Sequence, residues 1–313
     1  MSNKINLSIV VPVFNEQDNV KKLHEEVVKV LSKLDKSYEI IFVNDGSRDK
    51  TLENCKGLRP LKIINFRRNF GQTASLDAGF KEAKGEIVIA MDGDLQDDPA
   101  NIPGLLKKMR EENLDVVSSW RRKRKDPWSK RLLSRGADFL RKMLINDGVH
   151  DSGCQYRAYK KECLEKLDLM GEMHRFIPAT LIIKGFRVGE IEVNHRPRIH
   201  GVTKYNYKRL VKGFLDVLGV WFWMKYASRP LHLFGGAGLF SFILGAVVLI
   251  ALFAARIFYA YSLSDKVWPL LAIFLMMVGV QLFVSGLMAD ILVKSRYQGK
   301  NMNYSVKEVI ENE

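Results

Sequence analysis

Two acidic side chains that follow a short apolar run have the type and spacing to bind a metal ion. Asp92 and Asp94 come directly after a mostly apolar run, residues 86–91. Carboxylates two positions apart across a tight turn can contact one hard cation, which prefers oxygen ligands. A divalent cation held there would neutralise charge on a diphosphate leaving group. An isolated pair of this kind is also typical of a solvated turn, so the pair alone leaves both interpretations open.

Other common cation and nucleotide motifs do not fit this sequence. A calcium loop requires glycine where Asp97 stands, and a helix rather than a strand must lead into it. Neither a GxGxxG dinucleotide motif nor a GxxxxGK(S/T) phosphate loop follows a strand. The three cysteines, Cys55, Cys154 and Cys163, show no CxxC or Cys/His spacing. We therefore expect reduced thiols and no structural zinc site.

The elements that must position the acidic pair belong to an α/β fold. Short apolar runs alternate with helical patterns, which predicts a parallel sheet with crossover helices. The predicted strands are residues 7–13, 39–43, 61–65, 86–91 and 115–119, with helices at 19–34 and 73–83. Ligands of open α/β sheets bind outside the carboxyl ends of the strands. We therefore expect Asn15, Asp45, Asn69 and the cluster at residues 92–98 to lie along one edge.

Two long uncharged blocks near the C-terminus predict membrane spans. Residues 231–255 and 267–289 each exceed the roughly 18–20 apolar residues that cross a bilayer as a helix. Lysine and arginine flank the blocks, whereas the connection between them is nearly neutral. The positive-inside rule then places the large domain and the tail in the cytoplasm. The predicted organisation is a catalytic domain at 1–204, interfacial amphipathic helices at 205–229, spans within 230–293 and a cytoplasmic tail at 294–313.

Composition and charge narrow the class of partner. The chain has 313 residues, with 49 Lys and Arg against 35 Asp and Glu, a net charge of +14. Such a surface attracts nucleic acid, anionic lipid or a phosphorylated substrate. Because the basic residues border an acidic metal site and a membrane anchor, we predict lipid and phosphate partners and no nucleic acid. The N-terminus shows no apolar targeting segment.

Several short segments, taken in order, carry a resemblance to a known family. They are residues 11–16, 43–47, 69–72, 90–99, 151–159 and 198–205. Together with the two spans, they resemble the inverting nucleotide-sugar glycosyltransferases with a Rossmann-like glycosyltransferase-A fold. More narrowly, the chain resembles the polyprenyl-phosphate glycosyltransferases along nearly its whole length.

The resemblance implies a role for each matching residue at the donor site. Pro12, Phe14, Asn15 and Glu16 would wall the nucleotide pocket, and Asp45 would read the base. Asp92 would contact the ribose or the metal side, and Asp94 with Gln96 would hold Mg²⁺ or Mn²⁺. The full set predicted to bind the nucleotide sugar is Pro12, Phe14, Asn15, Glu16, Asp45, Asn69, Asp92, Gly93, Arg198 and Lys204. Two of these residues have a structural alternative. Asp45 is also typical of a turn, and Pro12 is also typical of the end of a strand.

The basic residues after position 120 are predicted to bind the acceptor phosphate. The matching positions are Arg121, Lys130, Arg131, Ser134 and Arg157. Arginine presents donors that match phosphate oxygens, although a basic run is also typical of a solvated face. Arg157 has a further alternative, which is pairing with a core carboxylate. The residues predicted to be catalytic are Asp92, Asp94, Arg121 and Arg131.

The implied reaction needs no general base. A phosphate monoester has a second pKa of about 6 and is mostly dianionic at pH 7, so it can attack the anomeric carbon directly. Some relatives carry Asp where this chain has Gln155, which leaves a catalytic base at this position in doubt. The predicted function is inverting transfer of a sugar, with a UDP-sugar favoured, to polyprenyl phosphate at the cytoplasmic face. The resemblance also implies a homo-tetramer.

Two rival functions differ in their sequence requirements. A processive polysaccharide synthase should carry a Gln-x-x-Arg-Trp motif, which this sequence lacks. A non-catalytic scaffold or transport protein with a nucleotide-binding domain should have lost the paired acids, whereas Asp92 and Asp94 are both present.

Overall fold

The chain forms two compact units. A computed structural model describes residues 5–121, 148–151, 153–165, 167, 169, 171, 173–194, 196, 219, 222, 226, 230–259, 267–297 and 306–312. The first unit comprises Met1–Val220 with Met302–Glu313, and the second comprises Trp221–Asn301.

An eight-stranded mixed sheet forms the centre of the first unit. Its strands are β1 (Leu7–Val13), β2 (Tyr38–Asn44), β3 (Leu61–Phe66), β4 (Ile87–Ala90), β5 (Val116–Trp120), β6 (Arg157–Lys160), β7 (Val188–Glu192) and β8 (Val306–Asn312). The spatial order is β7-β5-β6-β4-β1-β2-β3-β8. Strands β4, β1, β2 and β3 are parallel neighbours. Strand β6 is antiparallel to both β4 and β5, and β8 is antiparallel to β3.

Helices cover both faces of the sheet. They are α1 (Val20–Leu31), α2 (Thr51–Lys56), α3 (Gln72–Glu82), α4 (Ile102–Glu111), α5 (Lys161–Glu165) and α6 (Ile177–Ile183), with 3₁₀ turns at Pro99–Asn101 and Met173–Phe176. Side chains of a strand alternate between its faces. Accordingly, Ile9 and Val11 pack in a core with α1 and α4, whereas Val10 packs in the opposite core with α3 and α6. The three cysteines are free and buried.

The five strands predicted before residue 120 are confirmed, but two features of the sheet differ from expectation. The sheet is mixed rather than parallel, because β6 and β8 run against their neighbours. An apolar run has the same pattern in either direction, so the sequence could not reveal this. The predicted tail also contains a strand, β8, that belongs to the first unit.

The second unit consists of two long helices, α7 (Pro230–Tyr259) and α8 (Trp268–Tyr297). Their candidate membrane spans, Pro230–Phe258 and Trp268–Leu292, have mean hydropathies of 2.6 and 2.3, and few of their residues are buried. A Cβ added at Gly238 would lie 2.6 Å from the carbonyl oxygen of Gly279. Small residues that let helix backbones approach are typical of helix pairs in membranes. The predicted pair of apolar helices, long enough to span a bilayer, is therefore confirmed.

Candidate active site

A cavity of about 320 Å³ opens at the carboxyl ends of β1, β2 and β4. Its lining includes eight of the predicted site residues: Pro12, Phe14, Glu16, Asp45, Asn69, Asp92, Gly93 and Asp94. The structure therefore brings the segments that follow four separate strands to one edge of the sheet, as the topology argument required.

Asn15 joins the loop after β1 to the loop after β2. Its backbone N–H donates to Ser47 Oγ at 3.0 Å, and its Oδ1 accepts from the Arg48 N–H at 2.9 Å. Its φ of 56° lies in the left-handed region, where asparagine is enriched. Asn15 is not among the residues that line the cavity. In this structure it shapes the wall that Phe14 and Glu16 form.

Asp45 connects the loop after β2 to the loop after β3. Its carboxylate accepts backbone hydrogen bonds from Phe70 at 2.7 Å and Gly71 at 2.9 Å. Burial raises the pKa of Asp45, although these bonds and the charge of Arg68 act in the opposite direction. Asp45 thus has a structural role in joining the two loops. Because it also lines the cavity, its contact with the nucleotide base stays a prediction.

The acidic turn places two carboxylates at the cavity. Asp92 Oδ1 accepts a hydrogen bond from Gln72 Nε2 at 2.7 Å, and Asp94 Oδ1 accepts one from the Gln96 N–H at 3.1 Å. Asp97 is turned inward, where its Oδ2 accepts from the Asp92 N–H at 3.0 Å. Asp92 and Asp94 are thus available to the cavity, whereas Asp97 supports the turn.

The neighbouring carboxylates of Asp92, Asp94 and Asp97 would be stabilised by a positive charge. Burial, together with the charges of Asp97 and Asp94, raises the pKa of Asp92 to about 8. Burial and the charge of Asp94 likewise raise the pKa of Asp97 to about 6, although the bond from the Asp92 N–H opposes this. A divalent cation would stabilise the ionised forms, and carboxylate oxygens are the ligands it prefers.

The donor set fits a metal ion that the substrate helps to bind. Within the described part of the chain, no three His, Cys, Asp or Glu side chains are grouped so that they could hold a metal alone. Two carboxylates with substrate phosphates and water are the usual environment of Mg²⁺. Asp92 and Asp94 would be the protein ligands of such an ion.

Gln96, which the resemblance implied as a metal ligand, forms two hydrogen bonds with Arg196. It does not line the cavity. Its side-chain Nε2 donates to the Arg196 carbonyl oxygen at 3.4 Å, and its own carbonyl oxygen accepts from the Arg196 N–H at 3.0 Å. The metal contact of Gln96 stays a prediction. In the structure its hydrogen bonds to Arg196 stabilise the acidic turn.

Arg121 and Arg157 both form hydrogen bonds inside the domain. Arg121 Nε and Nη2 donate to the two carboxylate oxygens of Asp151 at 2.7 and 3.0 Å. Arg157 is completely buried and donates to Ser118 Oγ and the His174 carbonyl oxygen. The positive charges of both arginines lower the pKa of Asp92.

These positions affect the predicted acceptor contacts differently. Arg157 is completely buried, and its predicted contact with the acceptor phosphate stays a prediction. Arg121 is partly buried and near the acidic turn, so its predicted role stays open. The remaining predicted residues lie outside the described part of the chain: Lys130, Arg131, Ser134, Arg198 and Lys204.

Some residues of the site were not predicted. Val13, Gly71, Gln72 and Ser75 also line the cavity. Gln72 ends the matching segment 69–72, so its place in that segment was an available signal. Arg196, which contacts the acidic turn, lies two positions before Arg198. No motif or spacing predicted its role, and only the basic residues around it set it apart.

Comparisons with known proteins agree with this geometry. The sequence model of glycosyl transferase family 2 matches residues 8–168. The dodecaprenyl-phosphate galacturonate synthase of Rhizobium johnstonii is 35% identical, over 99% of this chain and 94% of that protein. The undecaprenyl-phosphate 4-deoxy-4-formamido-L-arabinose transferase of Proteus mirabilis is 33% identical, over 92% of this chain and 88% of that protein.

A solved structure supports the fold. Glucosyl-3-phosphoglycerate synthase from Mycobacterium tuberculosis, crystallised with Mn²⁺, UDP and glucosyl-3-phosphoglycerate, superposes with a TM-score of 0.55 at 17% identity. The match covers 70% of this chain and 80% of that one. The predicted glycosyltransferase-A fold is confirmed. The chain is therefore a glycosyltransferase that belongs to glycosyl transferase family 2, and the relatives that match nearly all of it are polyprenyl-phosphate glycosyltransferases.

Proposed function

We propose that this protein transfers a sugar from a UDP-sugar to polyprenyl phosphate, with inversion, at the cytoplasmic face of a membrane. The product is a polyprenyl-phosphate-linked monosaccharide. The observation that carries the proposal is the placement of Asp92 and Asp94 on the wall of a cavity formed by the matching segments. Relatives named for transfer to dodecaprenyl and undecaprenyl phosphate support the acceptor class.

The donor is proposed from the cavity and from the structural neighbour. Phe14, which is 42% exposed, offers an apolar surface beside Asp45 and the acidic pair. That combination suits a nucleoside diphosphate, with a base at one end and two phosphates at the other. The neighbour from Mycobacterium tuberculosis was crystallised with UDP and Mn²⁺, which supports UDP as the carrier and a divalent cation as cofactor.

The chemistry follows from bringing two anions together. An oxygen of the acceptor phosphate forms a bond to the anomeric carbon while the bond from that carbon to the UDP oxygen breaks, which inverts the configuration. Asp92 and Asp94 would hold a divalent cation, which would neutralise charge on the departing diphosphate. The acceptor phosphate is already dianionic at neutral pH, so Gln155, whose side chain cannot accept a proton as a base, does not prevent the reaction.

Membrane topology follows from connectivity. The chain leaves the catalytic unit, forms α7 and α8, and returns to that unit through β8. Two crossings bring both ends to the same side. Lys225, Arg229, Lys294 and Arg296 flank the candidate spans, and the positive-inside rule makes that side the cytoplasm. A homo-tetramer, which the resemblance implies, is also proposed.

The test is a transfer assay with the purified chain, labelled UDP-sugars or GDP-sugars and a short-chain polyprenyl phosphate. We expect a lipid-linked monosaccharide from a UDP-sugar only when Mg²⁺ or Mn²⁺ is present. Products longer than one sugar would instead indicate a processive synthase. Absence of any lipid-linked sugar with all donors would contradict the proposal.

Asp94→Asn tests the metal role directly. Charge stabilisation by a bound metal is worth several kcal/mol, and each 1.4 kcal/mol or so changes a rate tenfold, so turnover should fall by at least about a hundredfold. Asp35→Asn is the matched control, because Asp35 is exposed in the connection between α1 and β2. Full turnover in the Asp94 variant would remove Asp94 from the metal site.

A further inference from the structure

Arg196 binds the back of the acidic turn from a distant part of the chain. Its backbone N–H donates to the Gln96 carbonyl oxygen at 3.0 Å, and its carbonyl oxygen accepts from Gln96 Nε2 at 3.4 Å. Its guanidinium bridges two carboxylates, with Nη1 at 2.5 Å from Glu26 Oε2 and Nη2 at 2.8 Å from Asp98 Oδ1. One residue therefore joins α1, the acidic turn and the segment after β7.

The turn that Arg196 contacts has an unfavourable backbone conformation. Leu95, between Asp94 and Gln96, has a φ of 61°. A residue with a Cβ in this left-handed region costs about 1–2 kcal/mol, so surrounding contacts must stabilise it. Leu95 is buried, and the two bonds between Gln96 and Arg196 hold the next residue in place.

Charge adds a second reason for a cation at this position. Asp92, Asp94, Asp97 and Asp98 lie within seven consecutive residues and repel one another. The guanidinium of Arg196 neutralises Asp98 from outside the cavity. It therefore reduces repulsion in the turn without occupying the position in which a metal would bind.

We propose that Arg196 is a positioning residue for the divalent cation, because it holds the turn in the shape that presents Asp94 to the cavity. The inference rests on the proposed metal site of the glycosyltransferase reaction. Arg196 does not line the cavity. Its side chain therefore acts through the ion pairs with Asp98 and Glu26, whereas its backbone bonds to Gln96 persist when the side chain is replaced. Residues that orient metal ligands typically change metal affinity by about 10–100-fold when they are removed.

The experiment measures Mn²⁺ binding to the full chain with UDP present, by electron paramagnetic resonance of free Mn²⁺, alongside turnover. Arg196→Ala should raise the Kd of Mn²⁺ by about tenfold, and saturating Mn²⁺ should restore most of kcat. Arg196→Lys, which keeps one ion pair, should give a smaller increase than the alanine variant. Thermal melting identifies variants that fold, and the lysine variant decides the result if the alanine variant does not.

Arg187→Ala is the matched control. Arg187 also forms an ion pair, with Asp115, but it lies just before β7, at the opposite end of that strand from Arg196. Its removal should leave the Kd of Mn²⁺ within about twofold of the wild type. An unchanged Kd in the Arg196 variants would overturn the inference, as would an equal increase in the Arg187 variant.

Failure of the proposed function gives a different result. A wild-type chain that binds Mn²⁺ with UDP but transfers no sugar to polyprenyl phosphate would contradict that function. The comparison of Mn²⁺ affinities would still decide the role of Arg196.

Discussion

Gly46 lets two loops of the active site touch. Its φ is +68°, and a Cβ added there would lie 2.4 Å from the backbone carbon of Arg68. The loop after β2 therefore packs directly on the backbone of the loop after β3, which carries Asn69 to the cavity. The bonds from Asp45 to the same loop reinforce this approach.

Gly46→Ala should destabilise the domain and weaken donor binding. The left-handed backbone costs about 1–2 kcal/mol for a residue with a Cβ, and a steric clash in a packed region adds about 1–3 kcal/mol. Thermal melting and UDP titration of the full chain measure the two effects. Gly57→Ala is the control, because no atom lies within 4 Å of a Cβ added there. Equal melting temperatures for the two variants would contradict the packing argument.

At the scale of elements, β8 covers the edge of β3, the strand that leads into one wall of the cavity. Six residues of β3, Leu61–Phe66, have registered partners in β8, from Asn312 back to Val306. An exposed strand edge is otherwise open to pairing with other chains. β3 leads into the loop that carries Asn69, Gly71 and the bonds to Asp45. Since β8 holds β3 in place, we expect it to stabilise that loop as well.

Ending the chain before residue 302 should therefore impair both stability and donor binding. Cross-strand pairs contribute roughly 0.2–1 kcal/mol each, so the loss of six should lower the free energy of unfolding by about 1–6 kcal/mol. The KM for the donor should rise more than kcat falls. Removal of Glu313 alone, which follows the strand, is the control. A truncated chain with unchanged donor KM would show that β8 has no effect on the site.

At the scale of the whole molecule, the position of β8 constrains how the chain crosses a membrane. A strand after the second apolar helix pairs with a strand near the N-terminus. Pairing requires both to be on one side of the bilayer, so the number of crossings must be even. This argument is independent of charge and agrees with the positive-inside rule.

Single cysteines test this topology in intact cells. The native thiols of Cys55, Cys154 and Cys163 are buried, and burial raises the pKa of each to about 12, so they should not react. A membrane-impermeant maleimide should label Ser264→Cys, between the helices, but label Glu313→Cys only after permeabilisation. Labelling of both from outside would contradict two crossings, and labelling of Glu313→Cys alone would reverse the orientation.

Much of the fold and part of the site were predictable because their signals are local. Apolar runs predicted β1 to β5, and uncharged blocks predicted the two long helices, since each pattern lies within one element. Polar turns directly after β1, β2 and β4 predicted the edge at which Glu16, Asp45 and Asp92 meet, because parallel strands bring their carboxyl ends together. Asp94 was predicted by its spacing from Asp92.

By itself, then, the sequence determined β1 to β5, the two long apolar helices, the edge of the sheet at which the cavity opens and the acid pair. Only the tertiary structure decided the direction of β6 and β8, the burial of Arg157 and the support of the acidic turn by Arg196. The Arg196 contacts join residues 100 and 170 positions apart. No period or spacing records such a pairing, because it depends on how the sheet twists and on which side chains meet once the elements pack.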